Sequence, residues 1–161
     1  MASGVVLLVT VAAGCGNDEP DVEADATTTT GDATSTTGEE ALSNSCPVEG
    51  CQVEITDAVK DGNELRLTWT TNFAPDDSRN HIHVYWDTYE PEQVSNDAET
   101  AHGVTQGDWV PTDAHPDFVT EGPVSVSQRG TSANVCVTAG DGEHNVIDVS
   151  IEQCREVSDL L

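Results

Sequence analysis

The sequence predicts an all-β domain, an antiparallel β-sandwich, preceded by a signal peptide and a disordered linker. Three observations carry this prediction. Apolar residues from position 46 onward recur with period two in short runs broken by Gly, Pro, Asn and Asp. No segment shows a helical stripe of useful length. All three Trp, both Tyr and both Phe lie between Trp69 and Phe118, so the core belongs to the C-terminal two thirds.

The elements follow in order. Val53-Glu54-Ile55 alternates, and Asp61-Gly62-Asn63 is a turn signal before Leu65, Leu67 and Trp69 alternate with Arg66, Thr68 and Thr70. Pro75-Asp76-Asp77-Ser78 marks a loop. Ile82, Val84 and Trp86 then alternate with His81, His83, Tyr85 and Asp87. Residues 88–123 are rich in Gly, Pro and Asp and read as a long connection, with short strands at Asp108-Trp109-Val110 and Asp117-Phe118-Val119. Strands are expected at Val124-Ser125-Val126-Ser127 and at Asn134-Val135-Cys136-Val137-Thr138. After the turn Gly140-Asp141-Gly142, a final strand is expected over 145–153.

The N-terminus carries a different signal. Val5-Val6-Leu7-Leu8-Val9-Thr10-Val11-Ala12-Ala13 is an apolar run of signal-peptide length, shorter than the roughly 20 residues of a membrane-spanning helix. It ends in Ala12-Ala13-Gly14-Cys15, which resembles the lipobox of bacterial lipoproteins. The n-region Met1-Ala2-Ser3-Gly4 lacks the usual Lys or Arg, and Ala12 stands where lipoboxes more often have Leu. The resemblance implies cleavage after residue 14 and lipidation of Cys15. It places the protein in the bacterial cell envelope, outside the cytoplasm, with a membrane as its partner through the lipid anchor.

Residues 15–45 form an acidic, Thr-rich tether, with runs such as Thr27-Thr28-Thr29-Thr30 and no Lys or Arg. Such a composition cannot bury enough apolar area to offset chain entropy. It spaces the domain of residues 46–161 from the lipid surface by roughly 30 Å. The formal net charge of -25 disfavours nucleic acid, which requires a basic footprint, and leaves a cation or a basic protein as the charged partner.

The stretch 53–71, with its core Trp69, and the closing stretch 135–151 resemble the hairpins of fibronectin-III-like and immunoglobulin-like domains. That resemblance implies an immunoglobulin-like sandwich and carries no activity. A small β-barrel or jelly roll is the rival architecture.

Apart from Cys15, four cysteines remain: Cys46, Cys51, Cys136 and Cys154. An even number in an exported chain predicts two disulfides. With a hairpin turning near residue 141, Cys136 faces about residue 146. Cys154 then lies about 27 Å further along at about 3.4 Å per residue. The expected bridges therefore join Cys46 and Cys51 to Cys136 and Cys154 in one of two crossed sets. A zinc site of all four thiolates is the alternative, without the usual paired short spacings.

His81 and His83, two apart on a strand, project from the same face and can share a metal ion. In a sandwich of the implied type, the final hairpin loop lies at the same end as the loop before residue 81. That brings His144, with Asp141, towards the pair and makes a set for Zn²⁺ or Cu²⁺. The competing explanation is a solvated strand face that happens to carry two histidines. His102 and His115 fall in the long connection, where loop solvation accounts for them. Gly-x-Ser-x-Gly, phosphate-cradling glycine loops and His-Glu-x-x-His are all missing. The expectation is therefore a tethered, non-catalytic binding module without a cofactor, with an extracytoplasmic Zn- or Cu-binding protein as the alternative.

Overall fold

The computed structural model describes residues 44–161. The signal peptide, Cys15 and nearly all of the tether lie outside the described residues. The regular structure of the described chain is mostly strand, in two antiparallel sheets with only short 3₁₀ and π turns besides: β1 (Val53–Asp61), β2 (Glu64–Thr71), β3 (His81–Trp86), β4 (Val110–Thr112), β5 (Asp117–Val119), β6 (Asn134–Gly140) and β7 (Gln153–Glu156). One sheet has the order β1-β2-β5, the other β4-β3-β6-β7.

Period-two alternation dictates the core. Leu65, Leu67 and Trp69 of β2 turn inward with Val53, Ile55 and Ala58 of β1, and a bulge between Ile55 and Asp57 keeps Ala58 on the inner side. Ile82, Val84 and Trp86 of β3 join Val135, Val137 and Ala139 of β6 in the same apolar cluster. Trp69 stacks on Phe118 of β5 at 5.8 Å between ring centroids, and its indole N–H donates to the Ala114 carbonyl at 3.1 Å. Burying that N–H with a partner avoids the desolvation cost that an orphaned donor would carry.

The segment expected as a strand at 124–127 is instead a pair of 3₁₀ turns, Gly122–Val124 and Val126–Gln128. It crosses from β5 in one sheet to β6 in the other, and Pro123 removes a ladder donor from it. Glu64 holds the crossing in place. Its carboxylate accepts from Thr120 Oγ1 at 2.7 Å, Ser125 Oγ at 2.5 Å and the Val126 N–H at 2.9 Å. Burial raises the pKa of that carboxyl, but the hydrogen bonds from Ser125, Val126 and Thr120 outweigh it and hold the group below the usual range.

The disulfides correct the crossed pairing. Cys46 bonds Cys51, and Cys136 bonds Cys154. Cys136 and Cys154 are direct register partners, with Cα atoms 4.0 Å apart. The reason is that β6 and β7 are not joined by a tight hairpin. The chain turns through Asp141 and Asn145, touches back through a single bridge between Gly140 and Val146, and then makes an excursion before pairing resumes at Gln153 opposite Val137. The final strand is accordingly Gln153–Glu156 rather than 145–153. At the other end, a turn with the Gly50 N–H donating to the Pro47 carbonyl at 2.8 Å brings Cys51 back onto Cys46.

Every side chain of β3 is buried, on both faces of its sheet. The inner face meets the shared core. The outer face carries His81, His83 and Tyr85, and the connection between β3 and β4 folds over it. Val94, Tyr89 and Trp109 from that connection pack there with Cys136 and Val146.

Candidate metal centre

β3 positions two imidazoles. His81 pairs with Gly140 across the ladder and His83 with Thr138, two register positions apart, so both side chains rise from the outer face. Both are fully buried, which rules out the solvated strand face as their setting.

His144 reaches the pair from the turn after β6. Its backbone sits at φ 63°, in the left-handed region that a non-glycine residue enters at a cost of order 1–3 kcal/mol. The surrounding loop enforces that conformation. Asp141 Oδ1 accepts from the Glu143 and Asn145 N–H groups, each at 2.9 Å, and the His144 N–H donates to the Asp141 carbonyl at 2.9 Å. Asn96, from the β3–β4 connection, donates its N–H to the His144 carbonyl at 2.9 Å and its Nδ2 to the Glu143 carbonyl at 2.8 Å.

The nitrogens converge. His81 Nε2 lies 3.0 Å from His83 Nε2 and 2.9 Å from His144 Nδ1. One nitrogen from each ring falls within 4.8 Å of the others. His83 Nδ1 is 2.7 Å from the Val94 carbonyl, which can only accept, so Nδ1 carries the proton and Nε2 presents a lone pair to the cluster. His81 Nε2 faces two nitrogens and can offer a proton to one of them at most. The arrangement without an ion therefore leaves one nitrogen contact unsatisfied, and a cation at the centre would satisfy all three lone pairs together.

Electrostatics keep the lone pairs of His81 and His83 free. Burial, followed by the neighbouring His81, pushes the pKa of His83 down to about 3. Burial, followed by His144, lowers that of His81, and Asp77, Asp141 and Asp113 only partly offset this. Neutral imidazole is the form that ligates metal.

Packing fixes the ring positions. Gly140 sits so close that a Cβ there would stand 2.1 Å from His83 Nε2. Trp109 roofs His83, with centroids 3.9 Å apart and planes tilted by 23°.

The structure thus brings together His81, His83 and His144. It leaves Asp141 out: its carboxylate is spent on the turn. His102 and His115 are exposed and are not in the cluster. The four cysteines are all consumed in disulfides, so the thiolate alternative falls, and the grouping of Cys136 and Cys154 with Glu152 offers no free sulfur. Sequence reasoning missed Val94, Trp109, Asn96 and Gly140. Only Gly140 carried a signal: read from the sequence as the first residue of a turn, it closes β6, where a glycine also marks a close approach.

The chain matches no protein-family model, no curated protein and no solved structure.

Proposed function

We propose that this chain is an extracytoplasmic, lipid-tethered metal-binding protein whose domain holds one Zn²⁺ or Cu²⁺ ion between His81, His83 and His144. The observation that carries this reading is the convergence of three imidazole nitrogens, two of them on fully buried rings, with the tautomer of His83 set by the Val94 carbonyl. A hydrogen bond from the non-ligating nitrogen to a backbone carbonyl is a usual companion of ligating histidines. The plain binding module without a cofactor, favoured by the sequence, gives no account of two fully buried imidazoles and a half-buried third whose nitrogen contacts cannot all be made as hydrogen bonds.

The location rests on the Ala12-Ala13-Gly14-Cys15 junction, the acidic tether and the two disulfides, since disulfides persist in oxidising compartments. The immunoglobulin-like or fibronectin-III-like sandwich belongs to the same reading. Taken as A, B and E in one sheet and C, F and G in the other, β1, β2, β5 and β3, β6, β7 follow that order, with β4 added beside C. A metal buffer or carrier held on a tether outside the membrane suits the domain. The strongly acidic chain would concentrate cations near it.

Metal content decides the matter. The full chain, purified without a His-tag, should hold about one Zn or Cu per molecule, and His144→Ala, which removes a proposed ligand, should weaken uptake by more than the roughly 10- to 100-fold that loss of an outer-shell partner costs. Titration in high salt suppresses loose association with surface carboxylates while nitrogen coordination persists. A chain that takes up no ion saturably in high salt would overturn the proposal.

A further inference from the structure

The disposition of the rings names the ion. Ring centroids are 4.9 Å apart for His81 and His83, 4.6 Å for His81 and His144, and 6.4 Å for His83 and His144. His81 therefore stands between the other two. An ion about 2.0 Å from an imidazole nitrogen, on the axis of its lone pair, lies about 3.2 Å from that ring's centroid. Three corners of a square then place neighbouring centroids about 4.5 Å apart and opposite ones about 6.4 Å apart, whereas a tetrahedron places every pair at about 5.2 Å. The observed pattern of two short separations and one long one is that of the square. The nitrogen spacings fit the same arrangement, although they are also those of N–H···N hydrogen bonds, so the centroid pattern decides between the two geometries. Neighbouring donors are about 2.8 Å apart at square corners and about 3.3 Å apart in a tetrahedron, and His81 Nε2 lies 3.0 Å and 2.9 Å from its two neighbours.

We infer that the site is shaped for copper(II) rather than zinc, with His83 and His144 opposite each other across the ion and His81 between them. The inference rests on the metal-binding reading and adds the identity of the ion to it. A square of imidazole nitrogens matches the tetragonal preference of Cu²⁺ and opposes the tetrahedral habit of Zn²⁺. Nickel(II) shares the planar habit but binds such donors less tightly than copper(II). The three residues that form the group are all neutral nitrogen donors, and the group contains neither a carboxylate nor a thiolate. That set does not suit magnesium, calcium or manganese. The scaffold holds two of the three rings: Val94 fixes the His83 ring, Gly140 admits it against β6, and Asn96 clamps the turn that carries His144.

The test uses the full, untagged chain stripped of metal and loaded with one equivalent of Cu²⁺ in high salt. Electron paramagnetic resonance of the frozen sample should show an axial tetragonal spectrum with a wide parallel hyperfine splitting and superhyperfine lines from three nitrogens. A large excess of Zn²⁺ or Ni²⁺ should leave that spectrum in place. His144→Gln alters the half-buried histidine of the turn and spares the two core histidines. It should reduce the nitrogen count to two and weaken copper binding by more than the roughly 10- to 100-fold that loss of an outer-shell partner costs. A narrow parallel splitting of a tetrahedrally distorted site, or stoichiometric displacement of copper by zinc, would overturn the copper inference and leave metal binding standing. An unchanged nitrogen count in His144→Gln would also overturn it. Failure to take up any of the three ions saturably would remove both the copper inference and the metal reading beneath it.

Discussion

Gly140 and His83 share one small space: a methyl group on Gly140 would stand 2.1 Å from His83 Nε2 and under 3 Å from the two ring carbons beside it. The strand position next to the imidazole cluster therefore has to be glycine for the ring to lie against β6. Gly140→Ala should drive the His83 ring off its place, cost about 1–3 kcal/mol as an overpacked core does, and remove metal uptake. Urea denaturation and metal titration of the variant check this together. A variant with wild-type affinity would show that His83 is not a ligand in this position.

Acid should destabilise the metal-free domain between neutral pH and about pH 5. An unfolded histidine titrates near 6.5, whereas native His83 is pushed down to about 3, first by burial and then by His81. His81 shifts in the same direction. Below about 6.5 the unfolded chain binds more protons than the native one, so stability falls as pH falls, by up to about 1.4 kcal/mol per pH unit for each such group. The contribution is fully present above 6.5 and is lost progressively towards the native values. Glu64, whose carboxyl is held below its ordinary value, acts with the same sign, but only as pH falls through that ordinary value and below it. Urea midpoints at pH 7, 6 and 5 isolate the histidines, and a flat midpoint over that range would contradict the burial argument.

The two disulfides should not be equal. Cys136–Cys154 closes a span of 18 residues and Cys46–Cys51 one of 5. Chain entropy favours the longer loop, at about 3 kcal/mol against about 2 kcal/mol. Replacing Cys136 and Cys154 together by Ala should therefore cost more stability than the same change at Cys46 and Cys51. Peptide mapping without reductant checks the pairing itself. A peptide linking Cys46 or Cys51 to either of the other two would contradict the register between β6 and β7.

Asn96 positions His144 without being a ligand. Removing its side chain in Asn96→Ala takes away the hydrogen bond to the Glu143 carbonyl, at a cost of about 1 kcal/mol. Metal affinity should fall several-fold while the number of bound ions stays at one. His102→Ala, in an exposed part of the same connection, should change neither. Isothermal titration of the two variants separates them, and equal behaviour would argue against the clamp.

Lipidation has its own test at Cys15. Cys15→Ser should release the protein from the membrane fraction or leave its precursor uncut, and a variant that fractionates and matures like wild type would refute the lipobox reading.

Much of this architecture was legible in the sequence for a simple physical reason. Strand side chains alternate, so Leu65, Leu67 and Trp69 had to share one face and His81 and His83 another, and Asp61-Gly62-Asn63 had to turn the chain between β1 and β2. Alternation is a local property. It says which residues share a face and not what covers that face. Only the tertiary structure laid residues 94 and 109 over the outer side of β3, burying two histidines that the pattern alone would equally have left in water. The pairing of Cys136 with Cys154 was hidden likewise, because register beyond an irregular excursion depends on where the returning chain docks and not on the number of residues it spends. The imidazole cluster lies between these two cases: strand period put His81 beside His83, while the turn at Asp141, held by Asn96 from another part of the chain, decided that His144 would meet them.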